Sequence, residues 1–256
     1  MKLRLDKLLV DRGLAQSRER AQALILAGRV LVAEQKVDKP GTSVDAAVAI
    51  RMMGEDLRYV SRGGLKLEGA LDTWGISVEG LACADIGAST GGFTDCMLQR
   101  GAASVLAVDT GYGQIAHKLR ADQRVTLLER TNARLLEPGQ LAAAAVRFFA
   151  MDVSFISATL VLPAVLAAFA QAGHLLGHSW SGEAVVLIKP QFEAGREHVG
   201  KGGIVRSAEA HQLAIDRVTN AVKELGGEPA AIVDSPILGM EGNREFLLHA
   251  IWRSKE

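Results

Sequence analysis

The run Asp85-Ile86-Gly87-Ala88-Ser89-Thr90-Gly91-Gly92-Phe93 stands where an apolar stretch, Ala82 to Ile86, gives way to a helical pattern. Small residues let the backbone turn tightly and approach a ligand, and the helix that follows offers free N–H groups at its start. A dinucleotide fingerprint beginning at Gly87 would need glycine at position 89, which is serine. That disfavours a pyrophosphate, and with it an NAD-dependent oxidoreductase. An adenosine carrying an amino-acid tail fits better. Asp109 closes the next apolar stretch. A carboxylate there can accept hydrogen bonds from both ribose hydroxyls of a bound nucleoside. The candidate cofactor cradle is therefore Asp85, Gly87, Ala88, Ser89, Gly91, Gly92 and Phe93, with Asp109 opposite.

Four other ionisable residues stand out by context. Lys66 lies in Ser61-Arg62-Gly63-Gly64-Leu65-Lys66-Leu67, Asp152 follows the apolar run Val146 to Met151, and Lys189 follows Ala184 to Ile188 directly before Pro190. Glu245 opens the last apolar run; Glu241 also precedes it, but Glu245 sits in Gly-Asn-x-Glu immediately before. Charged residues at the C-terminal ends of parallel strands overlie the ligand crevice of an open α/β sheet. A metal centre is not expected. The two cysteines, Cys83 and Cys96, form no CxxC, and His174 and His178 are flanked by Gly173 and Gly177.

The elements that must position these groups follow from periodicity. Ala82–Ile86, Val105–Val108, Val125–Leu128, Val146–Met151 and Ala184–Ile188 read as strands, mostly separated by helical patterns. Ala230–Val233 and Phe246–Ile251 read as two more at the end. Such alternation predicts a mainly parallel sheet with helices on both faces. The first fifty or so residues read differently. Leu5, Leu8, Leu9 and Leu14 suit a short amphipathic helix ending near Gly13. Ser17 suits the N-cap of a second helix, with Ala21, Leu24 and Ile25 on one face and Gly28 ending it. Val30–Val32 and Val48–Ile50 read as short strands around Lys39-Pro40-Gly41. The expected division is 1–58, a linker at 59–61, and 62–256.

Of the 256 residues, 48% are hydrophobic and 23% charged, an ordinary globular composition. Net charge is zero but unevenly spread: residues 1–66 hold 13 Lys+Arg against 8 Asp+Glu, leaving 16 against 21 in the rest. A polyanion would dock first on the N-terminal module. Arg4, Lys7, Arg18, Arg20 and Arg29 are the candidate phosphate contacts, since Arg and Lys grip phosphates independently of sequence. The N-terminus lacks the apolar core of a secretory signal, and Leu160 to Ala170, interrupted by Pro163, is too short to span a bilayer. A reduced, cytoplasmic setting without membrane contact is expected.

The string RLDKLLVDRGLAQSRERAQALILAGRVLV resembles an S4 RNA-binding domain, which implies an RNA-reading surface without catalysis. Lys66, Asp152, Lys189 and Glu245 together resemble the Lys-Asp-Lys-Glu tetrad of FtsJ-like ribose methyltransferases. Over nearly its whole length the chain resembles the TlyA, or haemolysin A-like, rRNA methyltransferases. The resemblance is carried by YVSRGGLKLEGAL, DIGASTGGFTD, AVDTGYGQ, ERTNAR, MDVSFIS, LIKPQFEAGREHVGKGGIVR and GNREFLLH. It implies a Rossmann-like S-adenosylmethionine-dependent methyltransferase domain behind a small α+β S4 domain. By the same resemblance Asp85, Gly87, Asp109 and Asn132 belong to the cofactor site and the tetrad to catalysis. The implied substrate is a cytidine ribose in ribosomal RNA, with the large subunit favoured over both.

The chemistry agrees. A ribose hydroxyl is a poor nucleophile near neutral pH, whereas a sulfonium methyl is already activated. The enzyme must align the attack and remove a proton. A free lysine, with pKa about 10.4, is a weak base. A neighbouring ammonium and partial desolvation would favour its neutral form. Lys189 is the expected base, with Lys66 and Asp152 orienting it and the ribose, and Glu245 holding Lys66 or the hydroxyl. Two other classes share features with this chain: a pore-forming haemolysin, and an S4 RNA-binding factor without activity.

Overall fold

Every apolar run read as a strand beyond residue 62 forms one, within a residue or two at each end. A computed structural model describes residues 2–15, 17–53, 58–142, 145–239 and 241–254. The chain separates into two units, Met1–Leu57 and Arg58–Glu256. The stretch 59–61, expected as a linker, packs within the second unit. The Tyr59 ring is buried against Gly64, where an added Cβ would lie 2.4 Å from it.

In the first unit β1 (Lys2–Arg4) leads into α1 (Leu5–Asp11), and α2 (Arg18–Leu26) follows. Ser17 caps α2 as expected, accepting from the Arg20 backbone N–H, and Gly28 beyond its end takes φ +65°. The strands β2 (Val30–Val32), β3 (Gln35–Lys36), β4 (Ser43–Asp45) and β5 (Ile50–Met52) complete the unit. They form a three-stranded sheet in the order β3-β2-β5 and a pair β1-β4. The strand expected at Val48–Ile50 is displaced to Ile50–Met52, because Val48 closes a turn by donating to Asp45 O. Leu5, Leu8, Leu9, Ala21, Leu24 and Ile25 form the core, the apolar faces that the spacing predicted.

In the second unit α3 (Gly63–Trp74) precedes β6 (Ala82–Ile86), α4 (Gly92–Gln99), β7 (Ser104–Val108), α5 (His117–Arg120) and β8 (Val125–Leu128). Then come α6 (Pro138–Ala142), β9 (Phe148–Met151), α7 (Leu162–Leu175), β10 (Gly182–Ile188), α8 (Pro190–Glu193), α9 (Ala208–Glu224), β11 (Glu228–Asp234) and β12 (Phe246–Trp252). The sheet order is β11-β12-β10-β9-β6-β7-β8. Its pairs are parallel except those of β12, which runs antiparallel to both neighbours. One face is covered by α7 and α9 through Val165, Phe169, Ala214 and Val218, the other by α3 and α4 through Leu67, Leu71, Phe93 and Met97. From β6 the chain winds outward through β7 and β8, then crosses to β9 and β10. The crevice of such a sheet opens where that order reverses, above the C-terminal ends of β6 and β9.

One expectation needs correction. The apolar stretch at α7 is longer than Leu160 to Ala170: Ala158–Leu175 is long and apolar enough, by length and composition alone, to cross a membrane. Half of it is buried within the protein. Leu162, Val165, Leu166, Phe169 and Ala172 supply its buried face against the sheet, which accounts for its apolarity as that of a core helix.

Candidate active site

The turn from β6 into α4 is built for close approach. Gly87 takes φ +92°, and an added Cβ would lie 2.4 Å from the Asp152 carbonyl oxygen. Only glycine lets the loop rest against the end of β9. The Gly87 and Ala88 N–H groups donate to Val108 O at 2.9 and 3.1 Å, tying the loop to β7. Ser89 adopts φ +49° and Gly91 φ +92°, and α4 starts at Gly92. Gly92 abuts α3, since a Cβ there would lie 2.9 Å from Gly64 N. Ala88 and Phe93 point into the core. Phe93 can therefore meet a ligand only through its backbone.

Asp85 is 1% exposed. Its Oδ2 accepts from Thr94 N at 2.8 Å and Thr94 Oγ1 at 2.6 Å, while its Oδ1 has no partner. Burial pushes the Asp85 carboxyl up to about 7 against the pull of the Thr94 bonds, with Asp152 and Asp109 adding repulsion. A buried carboxylate oxygen without a donor leaves room for a cationic or N–H group of a ligand. Asp109 accepts from Ser89 N at 2.7 Å and Gly111 N at 2.6 Å. This fixes both carboxylate oxygens at the rim of the loop. Asn132 is exposed, and its side chain caps the short turn Ala133–Leu135 by accepting from Arg134 N at 3.0 Å. Its amide nitrogen remains available to a ligand.

The four tetrad residues form two ion pairs at the same edge. Lys66 Nζ donates to Glu245 Oε2 at 2.5 Å, both side chains being buried. Lys189 Nζ lies 2.5 Å from Asp152 Oδ1 and donates to Ser154 Oγ at 2.7 Å. Asp152 Oδ1 receives no well-directed hydrogen bond, so that contact is an ion pair while the Lys189 N–H aims at Ser154. The β10–β12 register pairs Ile188 with Phe246, which puts Lys189 and Glu245 side by side one residue beyond. Asp152 N donates to Ile86 O, joining the ends of β9 and β6. Each lysine faces a carboxylate, Lys66 that of Glu245 and Lys189 that of Asp152. Glu245 is buried against Lys66, and Glu241 is exposed.

Several neighbours had no sequence signal beyond their strings. Asp95 on α4, 4% exposed, accepts from Val60 N at 2.8 Å and pairs with Lys118 at 3.0 Å. Gln99 donates to Arg58 O. The segment entering α3 is thus sewn to the helix of the cofactor loop. Glu193 is held beneath by Ser157 Oγ at 2.6 Å and Ala158 N at 2.7 Å, its carboxyl raised by burial. Phe155 is 93% exposed in a left-handed conformation, φ +63°, with its ring centroid 5.6 Å from that of Phe192. A bulky residue there is strained, and strain of this kind gathers at functional sites.

In the first unit Asp6, fully buried, gathers three candidate or neighbouring side chains. Arg4 pairs with it at 2.8 Å, Arg18 at 3.1 Å, and Gln22 donates at 3.0 Å. The Arg4 bond first, with help from Gln22 and Arg18, holds the Asp6 carboxyl far below the usual range. Both arginines stay about half exposed, with donors to spare. Lys7 is exposed and Arg20 half-buried. Arg29 donates to Met53 O at 2.9 Å, a bond that ties α2 to the end of β5.

Seven strands in this order, with β12 reversed and a glycine-rich turn after β6, define a Rossmann-like methyltransferase fold. The model of the FtsJ-like methyltransferase family matches residues 59–251, and that of the S4 domain residues 3–49. The chain belongs to the FtsJ-like methyltransferases and, among them, to the TlyA, or haemolysin A-like, family. It is 48% identical to the Bacillus subtilis protein named "Putative rRNA methyltransferase YqxC", covering 98% of this chain and 86% of that one. It is 43% identical to the 16S/23S rRNA (cytidine-2'-O)-methyltransferase TlyA of Mycobacterium tuberculosis, covering 96% and 88%. A solved structure, "Putative hemolysin from Streptococcus thermophilus", superposes with TM-score 0.74 at 43% identity, covering 99% and 90%.

Proposed function

We propose that this chain transfers a methyl group from S-adenosylmethionine to the 2′-hydroxyl of a cytidine in ribosomal RNA, with large-subunit RNA preferred. The observation that carries the reading is the two ion pairs, the buried Lys66–Glu245 and the half-buried Lys189–Asp152, on the sheet edge that also holds the cofactor loop. When bound, S-adenosylmethionine supplies a methyl already activated by its sulfonium. The residues present suit it: Asp85 Oδ1 is free for an amino group, Gly87 leaves the backbone open to close approach, and Asp109 stands at the rim for ribose hydroxyls.

Lys189, once neutral, accepts the proton of the attacking hydroxyl at Nζ, and Asp152 and Ser154 fix where that nitrogen points. Glu245 fixes Lys66, whose charge steadies the oxygen as it loses its proton. Phe155, exposed and backed by Phe192, offers a flat surface on which a base drawn out of the RNA can stack, a contact worth roughly 1–3 kcal/mol. The first unit grips the RNA through Arg4, Lys7, Arg18, Arg20 and Arg29. A ribosomal substrate is also what supports a cytoplasmic setting.

The test is transfer of tritiated methyl from the cofactor onto purified ribosomal subunits, beside leakage of dye from liposomes. Label on RNA with intact liposomes supports the reading. Leakage without label would replace it with a lytic activity.

A further inference from the structure

Glu193 is a buried carboxylate that the proton transfer does not use, and it lies one helical turn beyond Lys189. It is 2% exposed. Burial raises its carboxyl above the usual range, against the pull of its hydrogen bonds to Ser157 and Ala158 and the charge of Arg217. A charge taken out of water needs good hydrogen bonds to offset the loss of hydration. Here both oxygens are engaged: Oε2 accepts from Ser157 Oγ at 2.6 Å and Oε1 from Ala158 N at 2.7 Å. These donors stand at the start of the turn Ala158–Leu160 that leads into α7. The carboxylate thus satisfies an N–H group that the turn itself leaves open.

The same donors close a segment that carries part of the candidate site. The segment begins at Asp152, whose N–H is fixed to Ile86 O at the end of β6. Between the two anchors run Ser154, which accepts from Lys189 Nζ at 2.7 Å, and Phe155 at φ +63°. A bulky residue in that conformation persists only where its surroundings over-determine it. The segment leaving Lys189 is short and stiff. Phe192 N donates to Lys189 O and Ala194 N to Pro190 O, each at 2.9 Å. Arg217 of α9 holds it from outside by donating to Glu193 O at 3.0 Å.

Two polar links therefore join these segments. Lys189 to Ser154 is one, and Glu193 to Ser157 and Ala158 is the other. The rings of Phe155 and Phe192 add an apolar contact. A single link leaves a pivot, whereas two fix an orientation. The reaction treats the two links differently. Lys189 Nζ must turn to the ribose hydroxyl, which loosens its bond to Ser154 in every transfer. Glu193 takes no part in moving the proton, so its link stays made.

We infer that Glu193 is a positioning residue: its carboxylate clasps the segment 152–158 to the turn that carries Lys189, holding Asp152, Ser154 and Phe155 in place while the lysine nitrogen moves to the ribose. The inference rests on the methyl transfer proposed above. Misplacement of about 1 Å at a reacting centre can lower a rate by about a hundred-fold.

The experiment compares the full chain with E193A, E193Q, S157A and V222A. E193A leaves the buried Ala158 N without an acceptor. E193Q keeps an acceptor for Ala158 N and offers Ser157 Oγ a donor, since the Ser157 hydroxyl can turn to Thr159 Oγ1 at 2.7 Å. Val222, buried near the far end of α9, serves as a stability control. Single-turnover methyl transfer to large-subunit RNA, with RNA and S-adenosylmethionine saturating, should fall about ten- to a hundred-fold in E193A. E193Q should stay close to the parent, and both should keep parental cofactor affinity. V222A should melt earlier yet keep the parental rate. S157A should lose less than E193A, and E193A/S157A no more than E193A alone, because both changes cut one link. Amide exchange across 154–158 should quicken in E193A and not in V222A. A parental rate in E193A, equal losses in E193A and V222A, or losses in E193A and S157A that multiply would overturn the proposal. If E193A does not fold, parental rate and exchange in S157A overturn it instead. If the parent transfers no methyl, the proposed function fails, and the clasp stands or falls on whether exchange quickens.

Discussion

Cofactor affinity should titrate through Asp85. Its carboxyl is 1% exposed and lifted from 3.8 to about 7. That rise corresponds to roughly 4 kcal/mol at about 1.4 kcal/mol per pK unit. The sign follows. A carboxyl whose folded value is raised keeps its proton between about 4 and 7 while the unfolded chain has lost it. The unliganded protein therefore loses stability as pH climbs through that window, and no further above about 7. A cationic ligand group at Oδ1 favours the carboxylate, so binding below pH 7 must expel the proton. Affinity for S-adenosylmethionine should fall up to tenfold per pH unit from 7 towards 5. Calorimetry in two buffers of different ionisation enthalpy should record close to one proton released at pH 6 and almost none at pH 8. Asp85→Asn should flatten the profile, weaken binding at pH 8 by about 1.5–3 kcal/mol, and raise the melting temperature of the unliganded protein at that pH. A flat wild-type affinity from pH 5.5 to 8 would refute the assignment.

Lys189→Arg keeps the charge but cannot lose its proton, so single-turnover methyl transfer should drop by about 10²–10⁴-fold with cofactor affinity intact; a near wild-type rate would move the base elsewhere. Phe155→Ala should raise the RNA concentration needed for half-maximal rate, by about 1–3 kcal/mol of lost stacking, with little effect on stability because the ring is 93% exposed. An unchanged RNA requirement would count against a stacking role. In the first unit the Asp6 carboxyl is depressed, so its contribution is present above about pH 4 and lost as pH falls further. Hydrogen exchange should show α1 and α2 loosening below pH 4, and Asp6→Asn should abolish that dependence by weakening the unit already at pH 7.

The fold was legible because the five inner strands of the large sheet, β12, β10, β9, β6 and β7, are nearly continuous apolar runs, and burial on both faces demands that pattern. The smaller unit was less so. Its strands are two or three residues long, and Gln35–Lys36 and Ser43–Asp45 are held by pairing rather than by any apolar alternation. Of the site, the glycine loop and the strand-end charges were visible because position along a parallel strand fixes position in the crevice. The choice of partners was not. Lys66 meets Glu245 across 179 residues, a distance over which spacing says nothing. Asp6, Asp95 and Glu193 escaped for the same reason: each looks like a surface polar residue until its buried partners are known. Phe155 escaped because exposure and a left-handed backbone leave no mark in sequence.

The central claim is that the paired lysines act on a ribose hydroxyl. Its most direct test is mass spectrometry of nucleosides released from large-subunit RNA after incubation with the protein and S-adenosylmethionine. The account predicts a single new 2′-O-methylated cytidine, whose phosphodiester resists alkaline cleavage. A methyl group on a base, or no methylated nucleoside with fully folded protein and assembled subunits, would contradict it.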